Sequence, residues 1–159
     1  MFTVRPAQHD DRPFIGGLVE SLLEFGSPMW RRPGELADGY RAALLTALDD
    51  EGPEAATLIA EDRDGRPLGF ISLRIADAIG SGPRCHIADL AVSREARRRG
   101  VGTTLVRAAE VWCAEHGLDG IDLDVWATNE RALAFYRSLG YVSESQRLVK
   151  TVGSPAAER

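Results

Sequence analysis

The sequence predicts an α/β (α+β) fold, a mixed β-sheet flanked by helices, and three observations carry that prediction. Strand-like apolar runs alternate with runs at helical spacing in the order βααββ, then βαβα, then ββ. An Asp-Gly step joins two of the strand-like runs, as in an antiparallel hairpin. One further strand-like run ends in a basic, glycine-bearing loop that opens a helix. The runs add up to six or seven strands and about four helices.

Phe2 to Arg5 reads as the first strand, stopped by Pro6. Asp10 and Asp11 can cap a helix whose first turn accepts Pro13, and Phe14, Ile15, Leu18, Val19, Leu22 and Leu23 share its apolar face. Gly26-Ser27-Pro28 breaks it, and a second helix runs from about Glu35 to Leu48, ended by Gly52-Pro53. Ala56–Ala60 and Leu68–Ile75 form the hairpin around Asp62 to Pro67, and Ala78 to Arg84 is a loop. Cys85 to Val92 is the strand that feeds the basic loop. The helix after it spans about Gly100 to Glu115, with His116-Gly117 as its stop. Ile121 to Trp126 alternates as a strand. Thr128 or Asn129 caps a helix to about Leu139, and Tyr141-Val142 and Arg147 to Lys150 are two last short strands. Residues 1–152 are expected to form one domain, and 153–159 a frayed tail.

Composition narrows the function classes. The 159 residues suffice for one domain with a core, and 44% apolar with 27% charged residues is ordinary globular usage. No apolar run reaches the ~18–20 residues that cross a bilayer, and the N-terminus lacks a signal-peptide core. Two cysteines make neither a disulfide framework nor a zinc set, so the expectation is a cytoplasmic protein with no metal. A net charge of −5 disfavours nucleic acid as a partner. Against that acidic background, Arg97, Arg98 and Arg99 are a local feature suited to a small anion.

The loop Arg97-Arg98-Arg99-Gly100-Val101-Gly102-Thr103 has a specific physical use. The first amides of a helix lack internal acceptors, and the dipole adds partial positive charge there. Glycine lets a ligand reach the backbone. Together these make a phosphate or pyrophosphate site. Leu105 stands where a dinucleotide fingerprint needs a third glycine, and no lysine follows Gly102 as a P-loop requires.

What remains, Arg97-x-x-Gly100-x-Gly102, resembles the [QR]-x-x-G-x-[GA] signature of the GNAT superfamily of N-acetyltransferases. The segment Asn129-Glu130-Arg131-Ala132-Leu133-Ala134-Phe135-Tyr136-Arg137-Ser138-Leu139-Gly140-Tyr141 is similar to that family's N-x-x-A-x-x-[FL]-Y-x-x-x-G-[FY] segment, and Asp89 to Glu95 is similar to its central strand and turn. The resemblance implies a mostly antiparallel sheet in which two parallel central strands, about 85–92 and 120–126, splay apart. It implies acetyl-coenzyme A as co-substrate, its pantetheine arm beside Leu90, Ala91 and Val92 and its pyrophosphate on Arg97 and the amides of Arg98, Arg99, Gly100, Val101, Gly102 and Thr103. Asn129 would bond near the pantetheine and Tyr136 would sit close to the sulfur.

The implied reaction is acetyl transfer to a primary amine of a small molecule or peptide, by direct attack through a tetrahedral intermediate. Tyr136 resembles the family's general acid toward the leaving thiolate, against the plainer reading that it packs its helix on the sheet. The oxyanion donor would be a backbone N–H near Leu90. Three sources of the base stay open. His86 lies on the central strand and has a suitable ordinary pKa. Asp89 shares that strand, on the opposite face by simple alternation unless a β-bulge changes the count. Water is the third. Asp122 and Asp124 share a face, where they could anchor a cation or simply be solvated. Trp126, Trp112 and Phe70 are expected in the core, Cys113 buried and inert, and His9 and His116 on the surface.

The acceptor side falls on the first two helices and their loop, with Glu24, Phe25, Met29, Trp30, Glu35, Asp38 and Tyr40 suiting an amine and Arg31 and Arg32 a carboxylate. A catalytically silent acyl-coenzyme A sensor is the competing reading; it would keep Arg97, Gly100 and Gly102 but need not keep Tyr136. A homodimer is an expectation by family analogy.

Overall fold

Alternation along the strands decides the architecture, because it gives each strand one side chain set for each face of the sheet. In the computed structural model, which describes residues 2–24, 33–49, 52–78, 80, 82–150 and 152, five strands form one sheet in sequence order: β1 (Thr3–Pro6), β2 (Ala55–Glu61), β3 (Pro67–Ala78), β4 (Gly82–Val92) and β5 (Ile121–Leu123). The first four pair antiparallel, and β4 pairs with β5 in parallel. Around them lie α1 (Arg12–Gly17), α2 (Val19–Leu23), α3 (Pro33–Ala47), α4 (Val101–Glu115) and α5 (Glu130–Ser138).

One face is closed by α4. Its residues Val101, Leu105, Ala109 and Cys113, four apart, form a buried stripe against Ile71, Leu73, Cys85 and Ile87. The other face is closed by α1, α2 and α3, where Ile15, Val19 and Leu44 meet Ile59, Phe70 and Ala91. Each fully buried large side chain contributes ~1.5–3 kcal/mol relative to exposure, so both layers are held firmly. Gly69 marks a tight point between them. A Cβ there would lie 2.6 Å from the Ala91 carbonyl oxygen, so only glycine lets β3 and β4 run this close.

The sequence expectations need four corrections. The single first helix is two: Leu18 (φ −87°, ψ −5°) separates α1 from α2 just after Gly16-Gly17, weak helix formers that let the chain re-aim. Counted as one broken segment, α1 and α2 leave four α-helical segments among the described residues. The loop expected over 78–84 is largely strand, because Ala78 pairs with Gly82 and left-handed Gly80 and Gly82 allow a tight turn. β5 stops at Leu123 instead of Trp126.

The last correction is the strand count. Tyr141-Val142 and Arg147 to Lys150 carry no strand, so the sheet has five strands among the described residues and not six or seven. Gly140 (φ +94°) and the bond from the Tyr141 amide to the Tyr136 carbonyl (3.1 Å) fold Tyr141 back onto α5. Val142 and Leu148 beyond it are exposed. The parallel pair therefore lies at the sheet edge. Phe25, Met29, Trp30, Arg31, Arg32, the side chain of Glu35 and the tail 153–159 lie outside the described residues.

Candidate active site

β4 and β5 stay together for only three residue pairs, Cys85–Ile121, His86–Asp122 and Ile87–Leu123. Beyond them β4 continues to Val92 while β5 ends, and among the described residues the outer edge of 88–92 has no strand partner. A cavity of about 110 Å³ sits at this fork. Asp89 and Leu90 line it from β4, Leu123 to Trp126 from β5 and its exit, and Asn129, Ala132 and Tyr136 from the start and middle of α5; Leu22 and Tyr40 face them from α2 and α3. Trp126, expected in the core, is thus a half-buried cavity wall, whereas Phe70 is fully buried and Trp112 partly so. A more open depression of about 390 Å³ lies between the α1–α2 junction and Ser93 to Glu95; its charged side chains are Glu20, Arg94 and Glu95.

The β-bulge decides which side chains meet. Ser72 pairs with Asp89 but Leu73 pairs with Ile87, so Ala88 is the extra residue. Cys85 and Ile87 point into the α4 layer, as do Leu90 and Val92. His86 and Asp89 therefore share the opposite face, with Ala91, and simple alternation is corrected. Asp89 accepts one long hydrogen bond from Ser72 Oγ (3.4 Å). Burial raises its pKa above the ordinary carboxylate value, and Ser72, Arg74 and His86 draw it back only in part. His86 stands one row lower, outside the cavity lining. Its Nδ1 is 2.6 Å from Asp122 Oδ1.

Tyr136 is 8% exposed, its ring edge-on to Phe135 and Tyr141 at 5.1 and 5.4 Å. Burial, followed by the charges of Tyr141 and Asp89, raises its pKa, so the phenol keeps its proton at neutral pH. Asn129 caps α5: its Oδ1 accepts from the Ala132 amide (3.0 Å). Its oxygen is engaged, and its NH₂ is the group left for a ligand.

At the start of α4, Arg98 (φ +60°) and Gly100 (φ +89°) both take left-handed conformations. The amides of residues 98–103 donate to no backbone acceptor among the described residues, and residues 98–100 are exposed. Arg97 is held by the chain itself. Its Nε donates to the Val92 carbonyl (3.3 Å), and a terminal nitrogen pairs with Glu24 (2.9 Å), which also holds Arg94 (3.0 Å). Glu24, read from the sequence as acceptor-side, thus braces the basic loop, and Arg97 keeps its carboxyl below the usual range. Arg99 lies over the Phe2 ring at 5.7 Å. Gly102 leaves room for Phe135, whose Cζ would be 3.3 Å from a Cβ there.

Cys113 is buried with its thiol pKa raised by burial, and the Cys85 thiol is pushed up to about 12. Neither is a nucleophile at neutral pH. His9 and His116 are exposed. Ser72 and Arg74 were not legible as site residues, since only cross-strand register brings them to Asp89 and His86.

A family model settles the kinship: the acetyltransferase (GNAT) family model matches residues 19–141. The chain belongs to that family. It is 36% identical to an aminoglycoside N(6')-acetyltransferase type 1 from Klebsiella aerogenes, over 58% of this chain and 62% of that protein, so the match spans less than two thirds of the relative's length. It is 28% identical to the peptidyl-lysine N-acetyltransferase YjaB of Salmonella typhimurium, over 98% of this chain and 93% of that protein. A solved GCN5-related N-acetyltransferase from Ralstonia eutropha superposes with a TM-score of 0.74 at 25% identity, covering 96% of this GNAT chain and 100% of that one.

Proposed function

We propose that the protein is an N-acetyltransferase that moves an acetyl group from acetyl-coenzyme A to a primary amine of a small molecule or peptide, by direct attack of the amine. The observation that carries this reading is the convergence of Asp89, Tyr136 and the unpaired edge of β4 on one cavity. The donor fits the chain on two counts. The amides of 98–103 are open for a pyrophosphate, and the β4 edge over Leu90, Ala91 and Val92 can pair with an amide-bearing arm as with an added strand. Gly100, Gly102 and the Asn129 NH₂ complete that contact. Bound there, acetyl-coenzyme A would supply an acetyl group activated as a thioester.

The chain's task is proton management. An alkylammonium with a pKa near ~10.4 exposes its lone pair in only ~1 molecule in 10³ at neutral pH. Asp89, a half-buried carboxylate with raised proton affinity, takes one proton from the ammonium. The Leu90 amide stabilises the oxyanion. Tyr136 gives its proton to the leaving sulfur and regains one from the newly acylated nitrogen. That exchange avoids leaving a phenolate in a wall that disfavours it. A proton acceptor so placed is worth roughly 10²–10⁴-fold in rate.

The named relatives offer two acceptor classes, an aminoglycoside amine and a peptide lysine. The carboxylates Asp89 and Asp124 at the cavity suit either. No described helix is long and apolar enough to cross a membrane, and we place the protein in the cytoplasm. The test is thiol release from acetyl-coenzyme A across a panel of aminoglycosides, polyamines and lysine peptides. Turnover on one class supports the reading; tight acetyl-coenzyme A binding with no turnover on any amine contradicts it and favours a silent sensor.

A further inference from the structure

We propose that His86 carries the proton from Asp89 out to solvent, with Asp122 a positioning residue that fixes the tautomer of His86; the proposal rests on the reading of Asp89 as proton acceptor. Acetylating an ammonium and releasing a thiol liberates one proton per turnover. Asp89 receives it inside a cavity that the two substrates would close to water. A path outward is needed, and the sheet provides one.

The path exists because of the bulge. With Ala88 unpaired, Asp89 and His86 rise from the same face of β4 about two residue rises apart, roughly 6–7 Å along the strand. A carboxylate, an imidazole and at most one water span that distance. His86 is then bonded across the parallel pair to Asp122 at 2.6 Å. A carboxylate only accepts, so the bond places the ring proton on Nδ1 and leaves the Nε2 lone pair of the neutral ring open. His86 reaches solvent: its side chain is 15% exposed, beside that of Asp122 at 35%.

Among the described residues, the charged and titratable groups near His86 include Arg74, its register partner on β3, Asp89 on its own strand, Asp122 on β5 and Tyr40, brought to the neighbouring cavity by α3. The steps balance. The ammonium N–H bond breaks and an Asp89 O–H forms. That O–H then breaks as Nε2–H forms. The imidazolium, stabilised by Asp122, then loses its Nε2 proton to bulk water as the products leave, which restores the neutral Nδ1–H ring.

The test uses the full chain and the best amine of the panel, with kcat, KM and the pH profile measured for His86→Ala, Asp122→Asn, Asp122→Glu and Asp89→Asn, each checked for a wild-type melting transition. The proposal expects His86→Ala and Asp122→Asn to lower kcat at least about tenfold with KM for both substrates little changed. Added imidazole should restore His86→Ala, and Asp122→Glu should keep most activity. Wild-type kcat in both His86→Ala and Asp122→Asn, beside an inactive Asp89→Asn, would overturn the relay and leave the Asp89 reading standing. A loss in His86→Ala that imidazole does not restore would also overturn it. A fully active Asp89→Asn removes the underlying reading itself.

Discussion

Asp11, buried, and Asp89, half-buried, are two carboxylates in one small protein, and they are treated in opposite ways. Asp11 accepts both terminal nitrogens of Arg5 (2.7 and 3.0 Å) and the Gln8 amide (2.7 Å), while Arg5 also holds Glu61 (2.7 Å). Arg5, reinforced by the Gln8 amide, overrides burial and keeps the Asp11 carboxyl below the usual range. Asp89 has one 3.4 Å contact to Ser72, and burial pushes its pKa the other way. A fold that needs a buried carboxylate for stability surrounds it with donors. One left short of partners, at a cavity, holds a proton with useful affinity.

The sharpest way to break this contrast is to neutralise each residue in turn. Asp89→Asn is expected to lower kcat/KM by about 10²–10⁴-fold while leaving the melting temperature equal or higher, because the burial cost of the charge is removed. Activity assays beside calorimetry read both. Tyr136→Phe should lower kcat by about 10²-fold with acetyl-coenzyme A affinity nearly unchanged, measured by titration calorimetry. Asp11→Ala should do the reverse of Asp89→Asn: it leaves Arg5 with Glu61 alone and costs about 2 kcal/mol in denaturant unfolding, with turnover per folded molecule retained.

Smaller effects sharpen the picture. At Gly100 an added Cβ meets nothing within 4 Å, but the φ of +89° strains any side chain by ~1–2 kcal/mol. Gly100→Gln and Gly100→Glu share that strain and differ in charge, so Gly100→Glu should bind acetyl-coenzyme A about tenfold more weakly than Gly100→Gln, ~1.4 kcal/mol. Equal affinities would remove the phosphate from this loop. The pH dependence of stability separates the two carboxylates by sign. Asp11, its pKa lowered, stabilises above the ordinary carboxylate value of ~3.9, and that contribution is lost as pH falls through its folded value. Asp89, its pKa raised, carries a burial penalty that is full above its folded value, shrinks as pH falls through it and is gone below the ordinary value of ~3.9. The stability excess of Asp89→Asn over wild type should therefore shrink on acidification, as thermal melts across pH would show.

Much of this was legible from spacing alone. The apolar positions of α4, the Asp62-to-Arg66 turn and the Asn129 cap are local features, and their residue types determine them: Asp62 Oδ1 accepts from the amides of Asp64 (2.9 Å) and Arg66 (3.0 Å), with Gly65 left-handed. The glycine-arginine loop was legible for the same reason. Cross-strand facts were not. Nothing near Ala88 announces a bulge, so the facing of Asp89 and His86 came only with the β3–β4 register. The pairings of Glu24 with Arg97, and of His86 with Asp122, join residues far apart in the chain. The segments 141–142 and 147–150 failed in the other direction: strand-forming residues took no ladder partner among the described residues.

The most direct test is the pH profile of kcat/KM for wild type and Asp89→Asn on the best amine acceptor. The structure predicts a rising acid limb in wild type, with its midpoint above the ordinary carboxylate value, and loss of both that limb and most of the rate in Asp89→Asn. An Asp89→Asn enzyme with the same limb and the same rate would show that the proton goes elsewhere.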